Sequence, residues 1–227
     1  MGPQDNRTGA GVDGSAATLR SYLEHERTLQ SVVTYTKHRF DAATALTAHN
    51  WEHIYRDTLN AIVIGEAEGA DMGVVLPAIV MHDIGFLYGP VNGHGPRGAD
   101  RLAAYLAEAG ISYSPEDILK QAACIRTHKG STPGSTIDQH PEGLEAKVVA
   151  DADLLEKFGW LGVYQSIRSF GELNRPLAKL IEFVDALSEA TMCTETGSRL
   201  AEPGRAAVAE FSLALKNAVA PYGDLSP

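Results

Sequence analysis

With 227 residues and a formal charge of −10, the chain is long enough to bury a full core as one domain. It is too acidic to hold DNA or RNA by neutralising phosphates, although a local cationic pocket for a small phosphorylated ligand remains compatible. The two cysteines, Cys124 and Cys193, lie far apart and outside any Cys-x-x-Cys pattern, which suggests neither a disulfide framework nor a zinc ribbon and fits a reducing, cytoplasmic setting.

Residues 1–17 are rich in Gly, Asp, Asn and Ala without apolar periodicity and read as a flexible tail; the domain is expected over 18–220. From Thr18 to about Thr47, Leu19, Tyr22, Leu23, Leu29, Val32, Val33, Tyr35 and Phe40 predict one or two amphipathic helices, with His25 and His38 on a solvated face. Asn50 is placed to cap a helix from Trp51 to Gly65 or Gly69. His49, His53 and Arg56 share a face if that register extends back to His49.

Asp71 starts a further helix in which Pro77 predicts a kink or a later start. Its apolar run Val74-Val75-Leu76-Pro77-Ala78-Ile79-Val80-Met81 ends in His82-Asp83-Ile84-Gly85. Burying an imidazole and a carboxylate without partners costs several kcal/mol. A metal cation, an arginine or backbone hydrogen bonds would each compensate. The glycines and prolines of 86–98 predict a loop carrying His94 and Arg97. Helices follow at about 98–109 and from Ser114-Pro115, the second ending in Ile125-Arg126-Thr127-His128-Lys129. Residues 131–141 read as loop with His140 exposed, and 144–152 as helix. The stretch Val148-Val149-Ala150-Asp151-Ala152-Asp153 again ends an apolar run in carboxylates. Helical spacing returns over 158–170, 175–193 and 203–219, with Gly197 and Gly204 as breaks. No strand alternation is found, so the fold class is all-α: a single-domain helical bundle. No run of about 18 apolar residues marks a membrane span, and the N-terminus lacks the pattern of a signal peptide.

His53, His82, Asp83 and Asp151 form a mixed nitrogen and oxygen set without thiolate, suited to Mn, Fe, Co, Ni or Zn. Their order, a His, a His-Asp pair and a distant Asp, resembles the HD-domain metal-dependent phosphohydrolase superfamily. His49-Asn50-Trp51-Glu52-His53-Ile54-Tyr55-Arg56 looks like the His-Asp-x-x-His-x-x-Arg segment of its small stand-alone YedJ-like bacterial members. The pattern continues with His82 to Gly85, His94-Gly95-Pro96-Arg97, Ile125-Arg126-Thr127-His128 and Lys147 to Asp153, a motif core of about 45–165 followed by C-terminal helices at 175–219.

The resemblance implies an HD-type bundle with a metal site in its core, a divalent ion (Mn, Fe, Co, Ni, Zn or Mg) and hydrolysis of a small phosphate ester, a nucleotide among the candidates. Its metal ligands would be His53, His82, Asp83 and Asp151. Asp83 would also hold the attacking water, and His94 or His128 would protonate the leaving oxygen. Arg97, Lys129, His49 and Arg56 would face substrate, and Asp153 would support the ligands without touching the ion. This chain departs from the family at Leu154, where an arginine is common and Lys157 is the nearest replacement, and at Asp57, where valine often follows the arginine. One alternative is a two-metal, di-iron protein in which His94 and His128 bind a second ion beside Asp83, acting as an oxygenase or cyclic-dinucleotide phosphodiesterase. Another is a sensing module without turnover. The expected partner is a small phosphorylated substrate, with no nucleic-acid polymer and no membrane; oligomeric state is left open. The hydrolase reading requires both His53 and Asp151 within coordinating reach of His82 and Asp83.

Overall fold

Short polar caps punctuate long apolar faces in this sequence, and the computed structural model, which describes residues 7–130, 132–135 and 140–223, turns that pattern into α-helices with no strand among the described residues. Helices α1 (Arg7–His25) and α2 (Arg27–Ala42) precede α3 (Trp51–Glu68), α4 (Met72–Met81), α5 (His94–Glu108), α6 (Pro115–Thr127) and α7 (Leu144–Leu155). Then come α8 (Gly159–Glu172), α9 (Leu177–Ser188) and α10 (Glu195–Val219). The capping signals act as expected: Asn50 accepts from the His53 N–H, Asp71 from Gly73 and Ser114 from Asp117.

The main core is the meeting of α3, α4, α6 and α7, filled by Ile54, Ile64, Val75, Ile79, Ile125 and Val149, with α5 closing on α6. Helix α4 carries no polar side chain between Gly73 and His82 and is buried from Val74 to Met81, which is why its sequence shows no amphipathic stripe. Pro77 lies inside it, removing the hydrogen bond that its N–H would give the Gly73 carbonyl. A second cluster, built on Leu154, Phe158, Val184 and Val208, joins α8, α9 and α10 to the end of α7.

Three sequence expectations are corrected. The stretch expected as a tail is helical from Arg7, because α1 docks on α3 through Leu19 and Tyr22 and continues back from that anchor, burying Ser15; residues 1–6 lie outside the described residues. The loop expected over 86–98 holds a 3-10 turn at Ile84–Tyr88 and then the first turn of α5, where Pro96 needs no intrahelical donor. Gly197 and Gly204, expected as breaks, lie inside α10, where they let other groups approach closely: a Cβ on Gly197 would stand 2.5 Å from an Asp151 oxygen and one on Gly204 2.6 Å from the Gly159 nitrogen. No helix among the described residues is long and apolar enough to cross a membrane.

Candidate metal centre

The end of α4 delivers His82 and Asp83, both 0% exposed, into the middle of the main core. Neighbouring elements approach because of missing side chains. A Cβ on Gly85 would lie 2.0 Å from the His94 carbonyl oxygen, and one on Gly95 would lie 3.0 Å from that of Ile125. These two glycines bring the start of α5 against the turn after Asp83 and against the end of α6, so His94 and His128 meet the His82-Asp83 pair. Helix α3 contributes His53 and α7 contributes Asp153.

Ring-nitrogen bonding sets the chemistry. The Nδ1 atoms of His82, His94 and His128 lie 2.7, 2.8 and 2.7 Å from the carbonyls of Ile79, Val91 and Ile125, which can only accept; each Nδ1 therefore carries the proton. His53 Nδ1 bonds Glu156 in the same way. All four Nε2 atoms then turn inward. Asp83 Oδ2 lies 3.3 Å from His53 Nε2 and 3.5 Å from His82 Nε2, while Oδ1 lies 3.1 Å from His94 Nε2 and 3.5 Å from His128 Nε2. Asp153 Oδ1 is 3.8 Å from His53 Nε2. His53 Nε2, His82 Nε2 and both Asp83 oxygens are buried without a hydrogen-bond partner among the described residues. With these imidazoles neutral, their Nε2 lone pairs and the Asp83 oxygens gather in a space without donors, the surroundings a divalent cation satisfies. One set of His53, Asp57, His82 and Asp153 and another of His82, Asp83 and His128 each bring their ligand atoms within 4.8 Å of one another.

Burial pushes the Asp83 carboxyl up, but the imidazoles around it outweigh burial and hold it well below the usual range. Burial lowers His53 and His82, yet the surrounding carboxylates, Asp57 first for His53 and Asp83 first for His82, leave both raised. Burial takes His128 down to about 3, so it is neutral near pH 7. Burial also drives Asp57 up, to about 8.

Several expected site residues do not take the expected places. Asp151 points away from the cluster. Its Oδ1 accepts from the Cys193 N–H at 2.7 Å and its Oδ2 from the Thr194 N–H at 2.8 Å and hydroxyl at 2.6 Å, and it holds the start of α10. Residues two apart on a helix are about 200° apart around its axis, so only one of Asp151 and Asp153 can face His82. That one is Asp153, expected only as a support, and it is ion-paired to Lys129 at 2.9 Å and Lys157 at 2.8 Å. The requirement set by the sequence is thus met by His53 and fails for Asp151, with Asp153 in its place.

Arg97 is also corrected: its guanidinium donates to the carbonyls of Gly85, Pro90 and Asn92 and fastens the turn after Asp83. Arg56 donates through Nε to Glu156 at 2.5 Å, clamping the carboxylate that holds His53. His49 and Lys129 do line a cavity of about 670 Å³ that opens beside His53 and His94. His49 stacks on Phe86, with ring centroids 4.4 Å apart, and pairs with Glu172. Lys157 lines the same cavity, as Arg175 and Lys179 do farther out. Sequence reasoning missed Glu156 and Glu172 as imidazole partners and Asp57 as part of the cluster. Asp57 alone had a readable signal, its i,i+4 spacing from His53.

The fold is that of a group of small all-helical proteins, some of them called HD-superfamily hydrolases, and here it surrounds a buried cluster of histidines and aspartates that could hold a metal ion. No family model matches the sequence, and no curated protein matches it. Among solved structures, a protein from Lactobacillus plantarum is 21% identical with a TM-score of 0.67, the match covering 86% of this chain and 98% of that one. A predicted HD superfamily hydrolase from an uncultured Thermotogales bacterium is 21% identical, TM-score 0.55, over 86% and 92%. Bacillus subtilis YpgQ, solved in complex with ADP, is 25% identical, TM-score 0.58, over 84% and 94%.

Proposed function

We propose that the protein is a metal-dependent phosphohydrolase acting on a small phosphate ester. The observation that carries this reading is the inward set of buried atoms from His53, His82 and Asp83 that have no hydrogen-bond partner among the described residues, with an Asp153 oxygen 3.8 Å from His53 Nε2. A divalent ion held by these residues would supply a water of lowered pKa, ~7, and would offset charge on phosphoryl oxygens.

The chain's own groups prepare the rest. Glu156 fixes the His53 ring, and Arg56 fixes Glu156. Lys129 and Lys157 place positive charge on the cavity wall beside Asp153, suited to anionic oxygens. His94 lines the cavity through a ring whose Nδ1 is committed to Val91, so its Nε2 is the atom that would exchange a proton with substrate, and it must first take one up before it can protonate a leaving oxygen. His128, held neutral by burial, is unsuited to that role near pH 7. Volume and cationic lining suit a nucleotide-sized phosphate, and the ADP bound to YpgQ agrees with that size. The net charge of −10 disfavours a polymeric nucleic acid.

The test is phosphate or pyrophosphate release from nucleotides, cyclic dinucleotides and sugar phosphates with Mn²⁺, Co²⁺, Ni²⁺ or Mg²⁺. Turnover with at least one ion is expected. Tight ligand binding without turnover under any ion would refute catalysis and favour the sensing module.

A second reading has its own observation. His94 Nε2 and His128 Nε2 face each other at 3.0 Å with Asp83 Oδ1 beside both, and with both Nδ1 atoms protonated this contact has no proton to share. A second ion held by His94, His128 and Asp83 would resolve it, as in the di-iron alternative. Metal content of the protein separates the readings: two irons per chain with oxygen uptake would replace the hydrolase proposal.

A further inference from the structure

Asp57 stands in the wall of the metal centre with no task in the scheme above. It lies one helical turn beyond His53, is 0% exposed, and neither of its carboxylate oxygens has a hydrogen-bond partner among the described residues. A buried carboxylate in that condition costs folding free energy, so either a proton or a cation must balance it. The nearby cations are occupied: Lys129 and Lys157 close on Asp153, and Arg56 closes on Glu156. The single proton on His53 Nδ1 goes to Glu156, which is nearer than Asp57 Oδ2 at 3.3 Å.

Asp57 Oδ2 also faces His82 Nε2, a lone pair when the ring is neutral, at 3.6 Å. The same nitrogen stands 3.5 Å from Asp83 Oδ2. Acceptors cannot hydrogen-bond one another, yet donors bound about 2.1 Å from one ion lie roughly 3.0–3.6 Å apart.

We propose that Asp57 is itself a ligand of an ion shared with His53, His82 and Asp153, whose ligand atoms and its own lie within 4.8 Å of one another, and that this added carboxylate biases the centre toward oxygen-preferring Mn²⁺ over Zn²⁺. The bias follows from ligand hardness, because carboxylates suit Mn²⁺ better than an imidazole-rich set does. The inference rests on the metal-centre reading and deepens it.

The full chain, stripped with chelator, is titrated calorimetrically with Mn²⁺ and with Zn²⁺ as wild type, Asp57→Asn and Asp57→Val, and melted in chelator. Both variants are expected to fold, to melt no lower than wild type, and to lose at least tenfold in Mn²⁺ affinity with a smaller loss for Zn²⁺. Mn²⁺ binding within threefold of wild type would overturn the proposal. An equal loss for both ions would overturn it too, marking Asp57 as a positioning residue. So would failure of both variants to fold, since the carboxyl would then be structural. Wild type that binds neither ion would sink the metal-centre reading itself, whereas wild type that binds alongside unaffected variants sinks only the role of Asp57.

Discussion

Removing Asp151 and removing Asp153 should have opposite signatures, although the residues are neighbours on one helix. Asp151→Ala deletes a buried acceptor of three short hydrogen bonds, from the Cys193 N–H, the Thr194 N–H and the Thr194 hydroxyl. The hydroxyl in turn accepts from the Gly197 N–H at 2.9 Å, so the first turn of α10 loses its organising anion. At ~1 kcal/mol per bond, plus the cost of orphaned donors, the loss is about 3–5 kcal/mol. For a chain of this size each kcal/mol lowers the melting temperature by ~2–4 °C, giving a fall of about 6–20 °C in chelator. Metal affinity should stay within about threefold of wild type, because no Asp151 oxygen faces the cluster. Asp153→Asn should instead weaken metal binding by roughly a hundredfold or more. It should also destabilise the protein, since Lys129 and Lys157 lose their counter-charge. The deciding measurement is therefore calorimetric metal affinity, with melting in chelator to account for stability. If Asp151→Ala abolished metal binding while Asp153→Asn kept it, the assignment made here would be wrong.

Other outcomes follow from the same geometry. Gly85→Ala places a methyl 2.0 Å from the His94 carbonyl oxygen, so α5 must shift; a loss of about 3 kcal/mol or more, or failure to fold, is expected, and a wild-type melting curve would contradict the packing. Arg97→Met should lower stability by about 2 kcal/mol through the lost bonds to Gly85, Pro90 and Asn92; a specific rise in KM with unchanged stability would return Arg97 to substrate binding. His53 and His82 are raised above 6.5 in the metal-free protein, so their contribution to its stability is full below pH 6.5 and is lost as pH rises through the raised values. A metal must displace those protons, so the rise in melting temperature on adding Mn²⁺ should be larger at pH 8 than at pH 6; an equal shift at both would refute the ligand role of these imidazoles. Cys124 is 2% exposed and burial pushes its thiol up to about 12, so thiol reagents should reach it only after unfolding, as a reagent titration with and without denaturant would show.

The all-helical class and the caps at Asn50, Asp71 and Ser114 were legible in the residues alone, as was the nearness of His53 to the His82-Asp83 pair. Such signals are local: a cap is read within three or four residues, and an apolar run ending in His-Asp demands compensation wherever it folds. Which of Asp151 and Asp153 faces the cluster emerged from packing, because a linear motif does not say which side of α7 meets α4 and which meets the start of α10. Packing also made points of contact of several glycines, Gly197 among them, which had read as a break. Gly85, Gly95 and Gly197 are small because another backbone or a carboxylate passes within the space of a methyl group, and which element passes there depends on packing between residues distant in sequence. The roles of Arg97, Glu156 and Glu172 were hidden for the same reason: a charged side chain takes its function from whichever partner the folded chain brings to it.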